Sequence, residues 1–404
     1  MRHAEITETD LPELLRQAVA RDGTAGDPYE ESCALAKLAV AVAAVDRDRS
    51  RALYDRSRDL ARPLSGVGQR NDLLEAALAA GGVDLAEDLA LSAPDRGSRV
   101  AELLRLMRLT APQDFPRLAG RAEELILDLA DPGEAASHAV SLAAGTAGED
   151  PARARAFIEY AEGLFPSPHP SSPRQERARV AAMLGDPERA MWTAAELAKV
   201  AAALGDPERA RIFAERAESL VSACPENRAS VLMELMEASA LLGEESRVHA
   251  LLAEVRVLIS AVADPYERVG ESLGLILTLH EIGEEGRASA VADETELLIP
   301  EVPDPLLRAL SWTALAAEVL PSDPDRARLL TSRAQVPPPA PFLFLWSRFL
   351  VGLDGEIASE PARRLLSGVR ETGSWPVCLT AALAAFPELS ARTLRTIADD
   401  FLTS

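Results

Sequence analysis

One phrase recurs along this chain: an apolar segment, a glycine, then Asp-Pro-x-x-Arg-Ala. It stands in full at Gly185-Asp186-Pro187-Glu188-Arg189-Ala190 and at Gly205-Asp206-Pro207-Glu208-Arg209-Ala210. Variants are Glu149-Asp150-Pro151-Ala152-Arg153-Ala154 and Ser322-Asp323-Pro324-Asp325-Arg326-Ala327. Glycine can take the left-handed conformation that ends a helix, Asp accepts N–H bonds as an N-cap, and Pro fits the first helical turn. The phrase is therefore a helix stop followed at once by a helix start. Between Ala- and Leu-rich segments, such tight punctuation forces antiparallel neighbours.

A second phrase spaces Asp and Arg by four instead of three, as in Asp264-Pro265-Tyr266-Glu267-Arg268 and Asp304-Pro305-Leu306-Leu307-Arg308. Two start signals predict two helix types, A (four-spaced) and B (three-spaced). They alternate as B 206–223, A 225–243, B 244–261, A 264–283, B 284–299 and A 304–320. The boundaries Gly205, Gly243, Gly283 and Ser322 lie 38, 40 and 39 residues apart. Within 206–223, Ala210, Phe213, Ala214, Ala217, Leu220 and Val221 recur at threes and fours and draw one apolar stripe. Ala309, Trp312, Thr313, Leu315, Ala316 and Val319 do the same after Pro305.

The apolar fraction is 48% but aromatics supply only 4%, so the core material is mainly Ala, Leu and Val, which suits closely spaced helices. The chain is predicted to be all-α, an α-solenoid of stacked antiparallel helix hairpins with a period of 38–40 residues, more than two thirds helical and without a sheet.

The segment Gly205–Leu220 resembles the second helix of tetratricopeptide-like repeats, with Ala210, Ala214 and Ala217 at the small-residue positions of that pattern. The period is longer than the roughly 34 residues of a tetratricopeptide unit, and the aromatic positions of helix A are mostly Leu or Ala here. The array therefore lies between the tetratricopeptide and HEAT classes. That resemblance implies a binding scaffold, since families built this way hold peptides, proteins and occasionally nucleic acid.

Four regions follow: degenerate helical repeats over 1–164, a proline-rich connector and half-length repeat over 165–205, regular repeats over 206–336, and capping helices over 337–404. In the first, Asp27-Pro28-Tyr29-Glu30 opens an A-like helix, 46–62 follows as B, Asp131-Pro132 opens another A, and 70–80, 98–109 and 117–130 are helical. Four prolines exclude a helix over 165–173. The 20 positions from 186 to 205 hold either half a unit or one continuous helix. After Val336-Pro337-Pro338-Pro339, the aromatics Phe342, Phe344, Trp346 and Phe349 crowd together, either as the heavier core of a cap or as an exposed interface.

Little in the chain points to catalysis. Five scattered histidines lack metal-site spacing, no Gly-Lys-Ser/Thr phosphate loop exists, and Lys37 and Lys199 are the only lysines. No cofactor and no metal are expected. The formal charge of −22 repels nucleic acid and anionic lipid. Cys33, Cys224 and Cys378 are odd in number and far apart, so they read as core residues in a reducing compartment. With neither a secretory signal nor about 18 uninterrupted apolar residues, a cytoplasmic protein is expected.

The expected function is a non-catalytic scaffold or adaptor holding a protein or peptide partner in its groove. The acidic run from Glu281 to Asp304 would steer a basic one, with Glu281, Glu284, Glu285, Asp293, Glu294 and Glu296 as candidate partner-binding residues. The rival is an enzyme on a helical-repeat scaffold, of the HEAT-like DNA glycosylase kind. It needs a basic groove, which the net charge disfavours.

Overall fold

A computed structural model of the chain describes residues 7–22, 27–61, 67–164, 187–221, 224, 227–334, 362–363, 366, 375–386 and 388–403. Of these, 86% are helical, in 19 α-helices without a strand, and consecutive helices pack as neighbours in the manner of an α-solenoid. The predicted fold class is the observed one.

The elements in chain order are α1 (Leu11–Asp22), α2 (Pro28–Ala43), α3 (Arg47–Ala61), α4 (Val67–Gly81), α5 (Val83–Leu91), α6 (Arg96–Leu109) and α7 (Phe115–Leu127). Next come α8 (Pro132–Thr146), α9 (Pro151–Leu164), α10 (Pro187–Ala203), α11 (Pro207–Val221), α12 (Arg228–Leu241) and α13 (Glu245–Ala261). The last are α14 (Pro265–Glu281), α15 (Glu285–Leu298), α16 (Pro305–Val319), α17 (Pro324–Arg333), α18 (Trp375–Ala385) and α19 (Ala391–Thr403).

The start signals work as caps. Asp27, Asp131 and Asp264 are extended, and their carboxylates accept from Tyr29 N, from Gly133 and Glu134 N, and from Tyr266 and Glu267 N. Each satisfies a donor the first helical turn leaves orphaned. The stop signals work as left-handed turns, with φ of +73° at Gly205, +70° at Gly243 and +77° at Gly283. Around them Asp206, Glu244 and Glu284 N–H donate to Ala201, Ser239 and Leu279 O, the six-to-one bond of a Schellman turn. Ser322 closes its turn without a glycine, because both its own N–H and that of Asp323 donate to Val319 O.

The two arginine spacings have different jobs. In the four-spaced phrase the arginine folds back over the loop that precedes the helix: Arg99 donates to Ala93 O, Arg268 to Val262 O and Arg308 to Val302 O. In the three-spaced phrase the arginine N–H caps onto its own Asp, as at Arg153, Arg209 and Arg326. Its guanidinium then reaches sideways. Arg153 meets Glu123 at 3.1 Å, Arg209 meets Glu159 at 3.6 Å, and Arg326 meets Glu296 at 2.9 Å, each on the preceding second helix.

Contacts divide the chain into two compact units, residues 90–294 and residues 1–89 with 295–404. The central unit, 90–294, contains the hairpins α6/α7, α8/α9, α10/α11 and α12/α13, followed by α14 and most of α15. Its first helices pack directly on one another in the order α6, α8, α10, α12, α14. Its second helices are linked by long arginine–carboxylate pairs.

Helix α10 accounts for the 20-residue spacing. It is one continuous helix of 17 residues and the first member of an ordinary hairpin with α11. The Asp-Pro-x-x-Arg start therefore marks where a helix begins, not which row it joins. Helix α5 had no counterpart in the sequence reading, because Gly82 (φ +78°) is followed by Val83-Asp84 without proline. The predicted connector 165–175 and the aromatics Phe342, Phe344, Trp346 and Phe349 lie outside the described residues. So does most of the predicted cap region before α18.

In the other unit α2/α3 form a hairpin, α4 packs on α2, and α16/α17 pair. Helices α18 and α19 pack on α1, α2 and α3, so the C-terminal hairpin sits where a repeat before α2 would stand. Arg49 at the start of α3 meets Asp399 of α19 at 2.8 Å, in the way second helices meet elsewhere.

Two glycines separate backbone need from habit. Gly283→Ala should destabilise by about 1–2 kcal/mol, because L residues disfavour the left-handed region. Gly270, inside α14, has nothing within 4 Å of an added Cβ. Gly270→Ala should therefore stabilise by about 0.5–1 kcal/mol through helix propensity. Urea unfolding of both variants checks the pair; equal signs would contradict it.

Candidate functional site

The chain's two lysines occupy matching places. Lys37 on α2 meets Asp72 at 3.1 Å and Glu75 at 3.2 Å on α4. Lys199 on α10 meets Glu234 at 3.3 Å, and Glu237, on α12. Both partner pairs stand 35 and 38 residues downstream of their lysine. A three-residue spacing puts two carboxylates on one helix face, so each lysine clamps two acids on the next first helix.

The two clamps differ in surroundings. At Lys37 the side chain is 16% exposed, Asp72 5% and Glu75 40%, one ammonium between two carboxylates. At Lys199 the lysine is 37% exposed, and two further acids, Glu196 and Glu281, join. Burial, then the charges of Glu234 and Glu281, push the Glu237 carboxyl up to about 7 against the bond from Lys199. Burial, then Glu234, push Glu196 up to about 7 against Lys199 and Arg108. Burial disfavours the Lys199 ammonium, yet Glu237 and Glu234 hold its pKa above the ordinary value.

Beside this cluster lies a recess of about 400 Å³ on the first-helix side, lined by Lys199, Glu237, Ala240, Leu241, Glu281 and Ile282. Leu241 is 54% exposed and Leu277, on α14, is 47% exposed. The site thus combines carboxylates, one ammonium and aliphatic surface.

Of the acids singled out by sequence, Glu281 alone lines the recess. Glu285 meets His280 at 2.7 Å and Glu284 meets Arg287 at 3.5 Å, both around the α14/α15 turn. Glu294 pairs with Arg256, while Asp293 is exposed on α15. Glu296 binds Arg326 and Arg333; their bonds outweigh its burial and hold its carboxyl below the usual range. Arginines far along the chain neutralise acids that the linear sequence shows facing only Arg287. Residues up to Glu294 belong to one unit and Glu296 to the other.

Sequence reasoning missed Glu196, Lys199, Glu234 and Glu237. The signal was present: two lysines, each with acids at the same two offsets, in a chain whose other cations are arginine and histidine.

Raised carboxyls make stability pH-dependent with a definite sign. A folded carboxyl titrating at about 7 holds a proton that the unfolded chain has released above its ordinary 4.5, so stability falls as pH rises between those values. Glu196→Gln should stabilise the protein at pH 8 relative to wild type and leave pH 4 unchanged. Urea midpoints at both pH values measure this; an equal effect at both would remove the shift.

Cys33, Cys224 and Cys378 are all buried, and none of them forms a disulfide among the described residues. Among the described residues no three His, Cys, Asp or Glu side chains converge as a metal site, and no helix is long and apolar enough to cross a membrane. No protein-family model matches the chain, and no characterised protein matches its sequence.

Proposed function

We propose that the protein is a non-catalytic scaffold that binds a protein or peptide on the first-helix face of the 90–294 unit. The observation that carries this reading is the recess between α10, α12 and α14, where exposed leucines border an acidic cluster. Exposed apolar side chains rimmed by charge mark interaction surfaces. Glu281, together with the carboxylates that face Lys199, sets a negative field at the recess and favours a basic partner. The net charge disfavours nucleic acid and anionic membrane surfaces. Three buried cysteines outside any disulfide support a reducing, cytoplasmic setting.

The test is a pair of reversals on opposite helix rows. Leu241→Glu and Leu277→Glu should abolish capture of a partner retained by the wild-type protein. Val257→Glu, on second helix α13 where Val257 is 66% exposed, should leave it intact. Loss through Val257→Glu alone would move the binding surface to the other row. Salt-dependent binding of duplex DNA with base release would instead favour the helical-repeat glycosylase reading.

A further inference from the structure

We propose that the recess between α10, α12 and α14 is a subsite for one basic side chain of the partner, whose guanidinium or ammonium group bridges Glu237 and Glu281. Its aliphatic stem would lie along Leu241 and Ile282. This rests on the peptide-binding reading above and adds the chemistry of the residue recognised.

Charge balance is the first argument. The Lys37 clamp sets one largely buried ammonium against two carboxylates, Asp72 and Glu75. The Lys199 clamp holds the same pair geometry but adds Glu196 and Glu281, leaving four carboxylates around one ammonium with Arg108 the other cation acting on them. Glu281 has no ion pair or hydrogen bond among the described residues, whereas Glu284, Glu285, Glu294 and Glu296 each have one. An incoming cation would therefore meet a surplus of negative charge at the one lining acid with a free carboxylate.

The second argument concerns which cation. Metal ions need several oxygens converging at bonding distance, and no such group is present among the described residues. The recess instead offers carboxylates on two different helices with Ala240, Leu241 and Ile282 beside them. Lys and Arg bury an aliphatic stem on apolar surface while placing the charged head on acids. A planar guanidinium can donate to two carboxylates at once. Lys199 shows within the same cluster that a primary ammonium is accommodated on paired glutamates.

Binding should also release protons near neutral pH, because a bound cation lowers the pKa of raised carboxyls.

The experiment uses the full chain and the heptapeptide acetyl-Gly-Ser-Leu-Arg-Leu-Ser-Gly-amide, with the same peptide carrying citrulline or lysine in place of arginine. Calorimetry at pH 7 and low salt, in two buffers of different ionisation enthalpy, reads affinity and proton release together. The expected result is that arginine binds at least about tenfold more tightly than citrulline and releases protons. Glu281→Gln and Glu237→Gln should each bring that ratio toward one, while Glu215→Gln on α11 leaves it unchanged. Equal binding of the arginine and citrulline peptides, or a ratio unaffected by Glu281→Gln, would overturn the subsite. If Leu241→Glu still weakens both peptides in that case, the binding face survives and only its chemistry falls. If no peptide binds, the subsite falls, and the opposed leucine reversals then decide the binding face separately.

Discussion

Phe401→Ala is expected to destabilise the protein by about 3–5 kcal/mol, the range for truncating a buried aromatic. Phe401 is 2% exposed, and its ring stands 4.8 Å from that of Trp375. Leu394, Ile397 and Ala398 on the same face of α19 are also buried. Polar ties surround this apolar contact. Arg16 reaches Asp400 at 3.0 Å, Arg49 reaches Asp399 at 2.8 Å, and Glu8 accepts from Ser390 N and Thr393 Oγ. The physical reason for so large an effect is that α18 and α19 cover the face of α2 and α3 that a preceding repeat would otherwise bury. A repeat array needs such a cover at its end. Deleting residues 387–404 should therefore expose that face and produce aggregation or loss of helical signal, well beyond the effect of the point variant. Urea unfolding followed by circular dichroism makes the comparison. A Phe401→Ala cost below about 1 kcal/mol would mean that α19 is dispensable to the packing.

The second large effect separates the two lysines. Lys37→Ala should cost about 3–5 kcal/mol, the range for removing one partner of a buried ion pair. Asp72, at 5% side-chain exposure, loses the ammonium that faces it. Lys199→Ala should cost roughly 1 kcal/mol, in the range of solvent-exposed pairs. Its ammonium is more open to water, and its buried partner Glu237 already titrates at about 7, so it can take up a proton instead of remaining a stranded anion. The prediction is thus an asymmetry between two clamps of identical spacing. Thermal unfolding at pH 7 reads it, and equal losses for the two variants would refute the assigned difference in environment. Raising the pH to 9 should enlarge the Lys199→Ala cost, since Glu237 can then no longer neutralise itself, and should leave the Lys37→Ala cost unchanged.

Much of the fold was legible because its signals are local. An Asp with a following Pro caps the helix it begins, and a glycine at +70° to +77° ends the helix before it; both are decided within one turn of chain. Helices α11 to α16 accordingly start within three residues of their predicted starts and end within two residues of their predicted ends. Helix α5 lacks a proline start and was not anticipated. The row to which α10 belongs was not legible either, since a cap says nothing about which neighbour a helix packs against.

The acidic run shows the same division at the level of the site. Counting charges along 281–304 finds many acids and one arginine, yet Arg256, Arg326 and Arg333 come from other helices to meet Glu294 and Glu296. Proximity in a repeat array is set by the period. Residues about 38 positions apart become neighbours, as Lys199 and Glu237 do. A count along the chain is blind to that distance.

By itself, then, the sequence determined helix content, most helix boundaries and the repeating hairpin, because caps, turns and apolar periodicity act over a few residues. The tertiary structure decided which carboxylates are neutralised, and which are raised toward neutral pH by burial beside one another. It also decided that Glu281 has no ion pair among the described residues beside the recess, and that the C-terminal hairpin covers the N-terminal one. Those outcomes depend on distances between residues that are 30 to 385 positions apart in the chain, and packing is what brings them together.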